Sequence, residues 1–314
     1  MEQLRFTKGH GTENDFVLVA DPDGVLDLDP WLVAALCDRR AGIGADGLIR
    51  VVRSEACDDG RQVFEDDGDA RWFMDYRNAD GSVAEMCGNG VRVFVAYLLR
   101  EGLVDAGDLT ADRPLAVGSR GGVKRVYRRP DDSLAVDMGR WRLPGGEQAA
   151  RDGHDARVHV AGLDVARPGL SLDLGNPHTV VVLADERELE AADLHRAPVV
   201  EPVPDHGTNV ELVVVGDTGD GPDDGIGRLR MRVHERGVGE TRSCGTGACA
   251  AALAARTWGG ASSPRTWQVD VPGGQVEVRV LTGDRVELAG PAVLVADGVV
   301  DVAALAAKAR SNPR

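Results

Sequence analysis

Two Cys-Gly-x-Gly turns, each opening an apolar run, constrain this chain more than any other feature. The first is Cys87-Gly88-Asn89-Gly90 ahead of Val91 to Leu99, and the second is Cys244-Gly245-Thr246-Gly247 ahead of Ala248 to Ala255. They lie 157 positions apart, and two weaker pairs recur in the same order at similar spacing. Gly11-Thr-Glu-Asn14-Asp-Phe-Val-Leu-Val matches Gly175-Asn176-Pro-His178-Thr-Val-Val-Val at an Asn-to-Asn offset of 162, and Ala45-Asp-Gly-Leu-Ile matches Asn209-Val-Glu-Leu-Val at 164. Three ordered pairs read as a diverged tandem duplication, so two similar halves are expected. A length of 314 residues, 43% of them hydrophobic, also suits two domains of ordinary size.

Around these motifs the local pattern is mostly strand. Ser133 to Met138, Arg157 to Val160, Asn209 to Val215, Arg228 to Val233 and Trp267 to Val271 are short β-branched or alternating runs bounded by Gly, Asp and Pro. Pro272-Gly273-Gly274 between two such runs predicts a hairpin turn. The runs that follow the two turns are apolar nearly all round, the mark of an enclosed helix. The expected architecture is therefore α/β of the α+β type, with a mainly antiparallel sheet curled around one buried helix, made twice. The boundary is expected in the Pro- and Gly-containing stretch from Arg140 to Gly153, giving halves of about 1–145 and 146–290. The acidic tracts Cys57 to Asp69 and Gly216 to Gly227 read as solvated loops, and Asp301 to Arg310 as a short surface helix.

A formal net charge of −15 argues against a nucleic-acid or anionic membrane partner and leaves a small molecule as the expected ligand. The start lacks the apolar core of a signal peptide, and a cytoplasmic location is expected. Five cysteines, at 37, 57, 87, 244 and 249, form neither an even disulfide framework nor paired Cys-x-x-Cys knuckles, so free thiols are expected. Cys37 and Cys249 read as core, Cys57 as an exposed loop thiol.

A thiol at a helix start faces unpaired backbone N–H groups, which favour the thiolate. Two such thiols from two similar halves point to proton transfer on both sides of one carbon, one sulfur as base and one as acid. A free thiol has a pKa of about 8.5, and a helix terminus supplies roughly 0.3 to 1 kcal/mol, at best about 2, so further groups must adjust it. Two other readings stay open on the residues alone. They are a thiol–disulfide redox pair, and a zinc site made by Cys87, Cys244, Cys249 and a histidine.

A larger set of motifs carries a resemblance. Lys8-Gly-His-Gly-Thr-Glu-Asn14-Asp-Phe, Gly42-Ile-Gly-Ala-Asp-Gly, Arg77-Asn78-Ala-Asp-Gly-Ser, Glu85-Met-Cys87-Gly-Asn89-Gly, Gly175-Asn176-Pro-His178, Thr208-Asn209 and Glu235-Arg236-Gly-Val-Gly-Glu-Thr-Arg-Ser-Cys244-Gly-Thr246-Gly together resemble the diaminopimelate epimerase family. The resemblance implies a cofactor-independent, pyridoxal-free isomerase that interconverts LL- and meso-diaminopimelate for lysine and peptidoglycan precursors. It implies pseudo-symmetric halves with a cleft between them, a chain end after about Pro291 that returns to the first half, and often a homodimer.

By the same resemblance Cys87 and Cys244 are the acid–base pair, and His178 and Glu235 adjust their ionisation. Asn14, Asn78, Gly88, Asn89, Asn176, Asn209, Glu235, Arg236, Gly245 and Thr246 bind the substrate. Backbone donors at the two helix starts would face a carboxylate on which negative charge grows. Arg236 suits a two-pronged carboxylate grip, and the amides suit a zwitterion. Many relatives carry Gln where this chain has Gly47, so a side-chain contact there does not carry over. Metal ligands are not expected.

Overall fold

The computed structural model describes residues 3–216 and 225–305, so the tract from Gly216 to Gly227 falls largely outside the described residues, as does the distal part of the segment from Asp301 to Arg310. Within that segment Val302 to Leu305 are helical. The chain divides into two compact units. One comprises the described residues through Val136 and again from Pro291, and the other is Asp137–Gly290.

The first unit is built on β1 (Gln3–Gly11), β2 (Asn14–Ala20), β3 (Gly47–Arg53), β4 (Trp72–Asn78), β5 (Leu115–Gly118) and β6 (Lys124–Arg128), with helices α1 (Pro30–Cys37), α2 (Asp58–Asp66) and α3 (Gly88–Arg100). Strand β7 (Leu134–Arg140) carries the chain onward. The second unit contains helices α4 (Gly146–Asp152), α5 (Glu186–Ala191) and α6 (Gly245–Gly259). Its strands are β8 (Ala156–His159), β9 (Arg167–Asp173), β10 (Pro177–Val182), β11 (Val199–Glu201), β12 (Asn209–Val215), β13 (Ile226–Glu235), β14 (Gly239–Thr241), β15 (Thr266–Val271), β16 (Gly274–Val280) and β17 (Arg285–Gly290). The last strand, β18 (Val293–Asp301), pairs antiparallel along β1 from Gln3↔Asp301 to His10↔Val293, within the first unit.

The duplication is visible in the pairing. In the first unit β1–β2 is antiparallel, β2–β3 parallel, β3–β4 antiparallel, β4–β5 parallel and β5–β6 antiparallel. The second unit repeats this order with β9, β10, β12, β13, β15 and β16. Helix α3 follows β4, and α6 comes after β13, the matching strand, with the short β14 between them. Register also corrects one sequence pairing. Phe16 faces Gly47, and His178 faces Asn209, so Asn209 corresponds to Gly47 rather than to Ala45. Side chains alternate across a strand, and a two-residue slip keeps the same face, so the apolar pattern alone does not separate the two alignments.

Both central helices are enclosed. Every residue from Ala248 to Ala255 is buried, and in α3 Val91, Arg92, Val93, Phe94, Val95, Tyr97 and Leu98 are buried too. Strands β1 to β4 and β18 surround α3, while β9, β10, β12, β13 and β15 to β17 surround α6. An alanine-rich α6 lets sheets approach closely, and burying such a face stabilises by roughly 25 cal/mol per Å² of apolar area. The Pro272-Gly273 turn closes β15 onto β16, with Val271 opposite Gly274.

The tract from Cys57 to Asp69 is not a loop. It forms α2, with Asp58 and Asp59 in the first turn, where carboxylates favour the positive helix end, and Gly60 buried against Ser54. Cys57, expected to be exposed, is half-buried at the helix N-cap and its thiol points to the Ser54 carbonyl at 3.9 Å. All five cysteines are free thiols; Cys37 and Cys249 are buried, and burial pushes Cys37 up to about 12.

Candidate active site

Each unit presents a cysteine as the N-cap of its central helix. Cys87 precedes α3 with φ −139° and ψ 119°, and Cys244 precedes α6 with φ −121° and ψ 116°. In both, the sulfur accepts from the backbone N–H three residues on, Gly90 N at 3.4 Å and Gly247 N at 3.4 Å. Sulfur thus takes the place usually held by a Ser or Asp oxygen at an N-cap. Backbone donors of the first helical turn, with the positive end of the helix dipole, face whatever lies beside each sulfur.

In the first unit four sequence-predicted residues come together. The Cys87 thiol donates to Asn14 Oδ1 at 3.4 Å, and Asn89 Nδ2 donates to the same oxygen at 3.3 Å; Gly88 and Asn89 are buried in the first turn of α3. Asn14 Nδ2 donates to Asp46 Oδ2 at 2.8 Å, and a carboxylate can only accept, so Asp46 dictates which way the Asn14 amide faces. Asp46 in turn meets Arg39 at 2.7 Å, and Arg39 and Lys8 each meet Asp15 at 2.7 Å. Burial pushes the Asp15 carboxyl up, but hydrogen bonds and charge from Arg39 and Lys8 prevail and hold it down at about 2.

Asn78 is not joined to this cluster. Its amide donates to Ser82 Oγ at 3.0 Å within the turn after β4, and its backbone pairs opposite Gly47. Gly47 has no room for a side chain: a Cβ there would lie 2.5 Å from the Arg77 carbonyl and 2.6 Å from the Tyr76 ring. Tyr76, set edge-on against Phe16, fills that space.

In the second unit Asn176 Nδ2 donates to Thr246 Oγ1 at 3.2 Å, and Thr246 Oγ1 lies 3.5 Å from Cys244 Sγ. Asn209 spans two strands, donating to the Pro177 carbonyl at 3.2 Å and accepting from Arg236 N at 2.9 Å. The Arg236 side chain is exposed and donates to the His206 carbonyl. Glu235 accepts from Thr241, and the nearby Cys244 thiol acts on it as well. Burial raises the Glu235 carboxyl, with Glu211 adding to the effect against the Thr241, His178 and Cys244 contributions. Burial pushes the Cys244 thiol well above its ordinary range, and the Glu235 and Glu211 carboxylates push it further than the Thr246 and Gly247 contacts can pull it back. The surroundings therefore hold the proton on this sulfur.

Two residues near these helix starts escaped the sequence reading. Glu211 lies fully buried on β12, its Oε1 2.7 Å from His178 Nδ1. Arg92 is fully buried on α3, donating to Asn89 Oδ1 at 3.0 Å and to the Pro291 carbonyl at 3.4 Å. A signal was present for both, a single charged residue inside an otherwise apolar run.

The fold is that of a group of epimerases, racemases and relatives. The chain aligns over 96% of its length with a hydroxyproline epimerase from Agrobacterium vitis, at TM-score 0.61 and 13% identity over 94% of that chain. It aligns equally far with a PhzF-family phenazine biosynthesis protein from Bacillus anthracis, at TM-score 0.62 and 15% identity over 99% of that chain. At the level of sequence the match is narrower. The model of the diaminopimelate epimerase family matches residues 6–144 and 170–295. The diaminopimelate epimerase of Streptomyces coelicolor is 48% identical over 309 residues, 96% of each chain. That of Thermobifida fusca is 47% identical over 96% of this chain and all of its own. This chain belongs to the diaminopimelate epimerase family, and with it to the isomerases.

Proposed function

We propose that the chain interconverts LL- and meso-diaminopimelate by two-thiol proton transfer, without a cofactor. The observation that carries this reading is the cysteine-capped helix start built twice, with matching dihedrals and matching N–H···S contacts. Inversion needs a base on one face of the α-carbon and an acid on the other. One sulfur serves as the base and the other as the acid, exchanging roles in the reverse direction. The α-carboxylate takes up negative charge as the proton leaves, and N–H groups of Gly88, Asn89, Gly245 and Thr246 stabilise it, a task that a pyridoxal ring performs in many other racemases.

His178 and Glu235 adjust the ionisation of Cys244. Asn14, Asn78, Asn176, Asn209, Glu235 and Arg236 hold the substrate, and Arg236 pairs with the distal carboxylate. A substrate lacking the second amino-acid end would leave these polar groups unpaired and react poorly. The reaction serves lysine and peptidoglycan precursor synthesis in the cytoplasm, in a homodimeric enzyme.

The test is incubation in deuterated water with LL-diaminopimelate and, separately, with proline. Deuterium enters the α-position of diaminopimelate with inversion, and both Cys87→Ala and Cys244→Ala abolish inversion. Label uptake into proline alone would overturn the substrate assignment, and full inversion by either single variant would overturn the two-thiol chemistry.

A further inference from the structure

The shared register allows the two helix starts to be compared residue by residue, and what lies beneath them differs. Under Gly90 of the first copy, Ile49 Cδ1 and Phe16 Cζ stand 3.3 Å and 3.5 Å from where a Cβ would be, an apolar floor. In the second copy the strand positions of Phe16 and Ile49 are taken by His178 and Glu211, as the pairings Phe16↔Gly47 and His178↔Asn209 require. Glu211 Oε1 lies 2.8 Å from where a Gly247 Cβ would be. Both side chains are wholly out of solvent, and among the described residues Glu211 Oε2 and His178 Nε2 have no hydrogen-bond partner.

A buried acid–base pair with unpaired atoms is a poor way to stabilise a fold, and well-packed apolar residues commonly do better. The first copy demonstrates that this fold accepts an aromatic–aliphatic pair at the same place. The groups acting on Cys244 are Glu235 from β13, Glu211 from β12, Thr246 from α6 and the backbone N–H of Gly247, while His178 from β10 bonds Glu211 and acts on Glu235.

We infer that Glu211 is a positioning residue for the epimerisation: it holds His178 through Nδ1, leaving Nε2 for another group, and it keeps the proton on Cys244 so that this sulfur begins the cycle as the acid. The inference rests on the two-thiol reading above. Glu211 Oε1 lies 2.7 Å from His178 Nδ1 and occupies that ring nitrogen, so Nε2 is the one left for another group. A negative charge beside a thiol disfavours its ionisation. In the first copy Ile49 and Phe16 occupy the equivalent places, so the carboxylate–imidazole pair beneath the helix start belongs to the Cys244 half alone.

The experiment compares Glu211→Gln, the double variant His178→Phe/Glu211→Ile that copies the first unit, and the unaltered full chain. The pH dependence of Cys244 alkylation by iodoacetamide is followed by peptide mass spectrometry, alongside the pH profiles of kcat and kcat/KM with LL-diaminopimelate. Glu211→Gln is expected to move the Cys244 alkylation midpoint down by about one pH unit, roughly a tenfold gain in rate at neutral pH. It is also expected to lower kcat by about tenfold or more with KM little changed. The double variant is expected to fold, with thermal stability equal to or above the parent, and to lose activity. An alkylation profile and kcat within twofold of the parent in Glu211→Gln would overturn the inference. So would a double variant that unfolds while Glu211→Gln keeps the parent's profile, for the pair would then be structural. Failure of the underlying reading is distinguishable, since it shows as inversion retained by Cys244→Ala.

Discussion

Replacing Gly247 by alanine should injure this protein more than the same change at Gly90, although the two glycines occupy equivalent places in duplicated turns. A Cβ on Gly247 would lie 2.8 Å from Glu211 Oε1, 3.2 Å from Cys244 Cβ and 3.3 Å from Cys244 Sγ. Overpacking of this kind costs about 1–3 kcal/mol. If the carboxylate yields instead, its 2.7 Å contact with His178 opens inside a dry site, and each of the two buried groups left unpaired costs about 1–3 kcal/mol. Against this, alanine gains about 1 kcal/mol over glycine in a helix. The net expectation for Gly247→Ala is a loss of about 0–2 kcal/mol by crowding and about 1–5 kcal/mol if the pair opens. At Gly90 the nearest atoms are 3.3 to 3.5 Å away and all belong to side chains, so the crowding offsets the helical gain and the net change stays within about 1 kcal/mol. A two-unit chain does not license a single unfolding free energy, so the assay is hydrogen exchange read by mass spectrometry on peptides spanning α3 and α6. Protection should fall across α6 in Gly247→Ala and hold across α3 in Gly90→Ala. Equal losses in the two variants would refute the packing argument.

Asp46→Asn replaces an acceptor-only group with one that can present either an oxygen or an amino group, so the Asn14 amide is no longer held one way, and kcat should fall by about tenfold with thermal stability nearly unchanged, measured by steady-state kinetics and a melt. Asp15 has its folded pKa depressed to about 2 from 3.8. Its contribution is therefore complete above about pH 4 and is lost as pH falls through 2, on the order of 2 kcal/mol. Arg39→Ala should shrink that loss in an acid titration of stability. Gly47→Ala, which drives a Cβ to within 2.5 Å of a carbonyl oxygen, should lower the yield of folded protein or its melting temperature clearly, and a neutral result would contradict the packing of Tyr76.

Much of the fold was legible where a local pattern has one solution. The runs after Cys87 and Cys244 are too apolar for anything but enclosed helices, and the strands from Asn209, Arg228 and Trp267 follow from β-branched alternation. The acidic tract after Cys57 was misread because charge at a helix start looks like charge in a loop; Gly60, Val63 and Phe64 provide its buried or half-buried face. The cysteines stood out through their repeated turns. Glu211 did not, because its meaning depends on His178, 33 positions earlier in the chain and one strand away. A lone acidic letter in an apolar strand is ambiguous until the opposing strand is known.

The strand order has a consequence for how the chain must be made. The final strand β18 lies along the whole of β1, Arg92 reaches the Pro291 carbonyl, and Arg100 and Thr7 both bond Asp297. During synthesis the middle of the polypeptide, from Asp137 to Gly290, can finish its own sheet first, while the half that emerged earliest waits with an open edge for its closing strand. Nascent chains stalled short of Pro291 would therefore carry a mature Cys244 turn beside an unfinished Cys87 half, and the earliest residues made would be the last to settle.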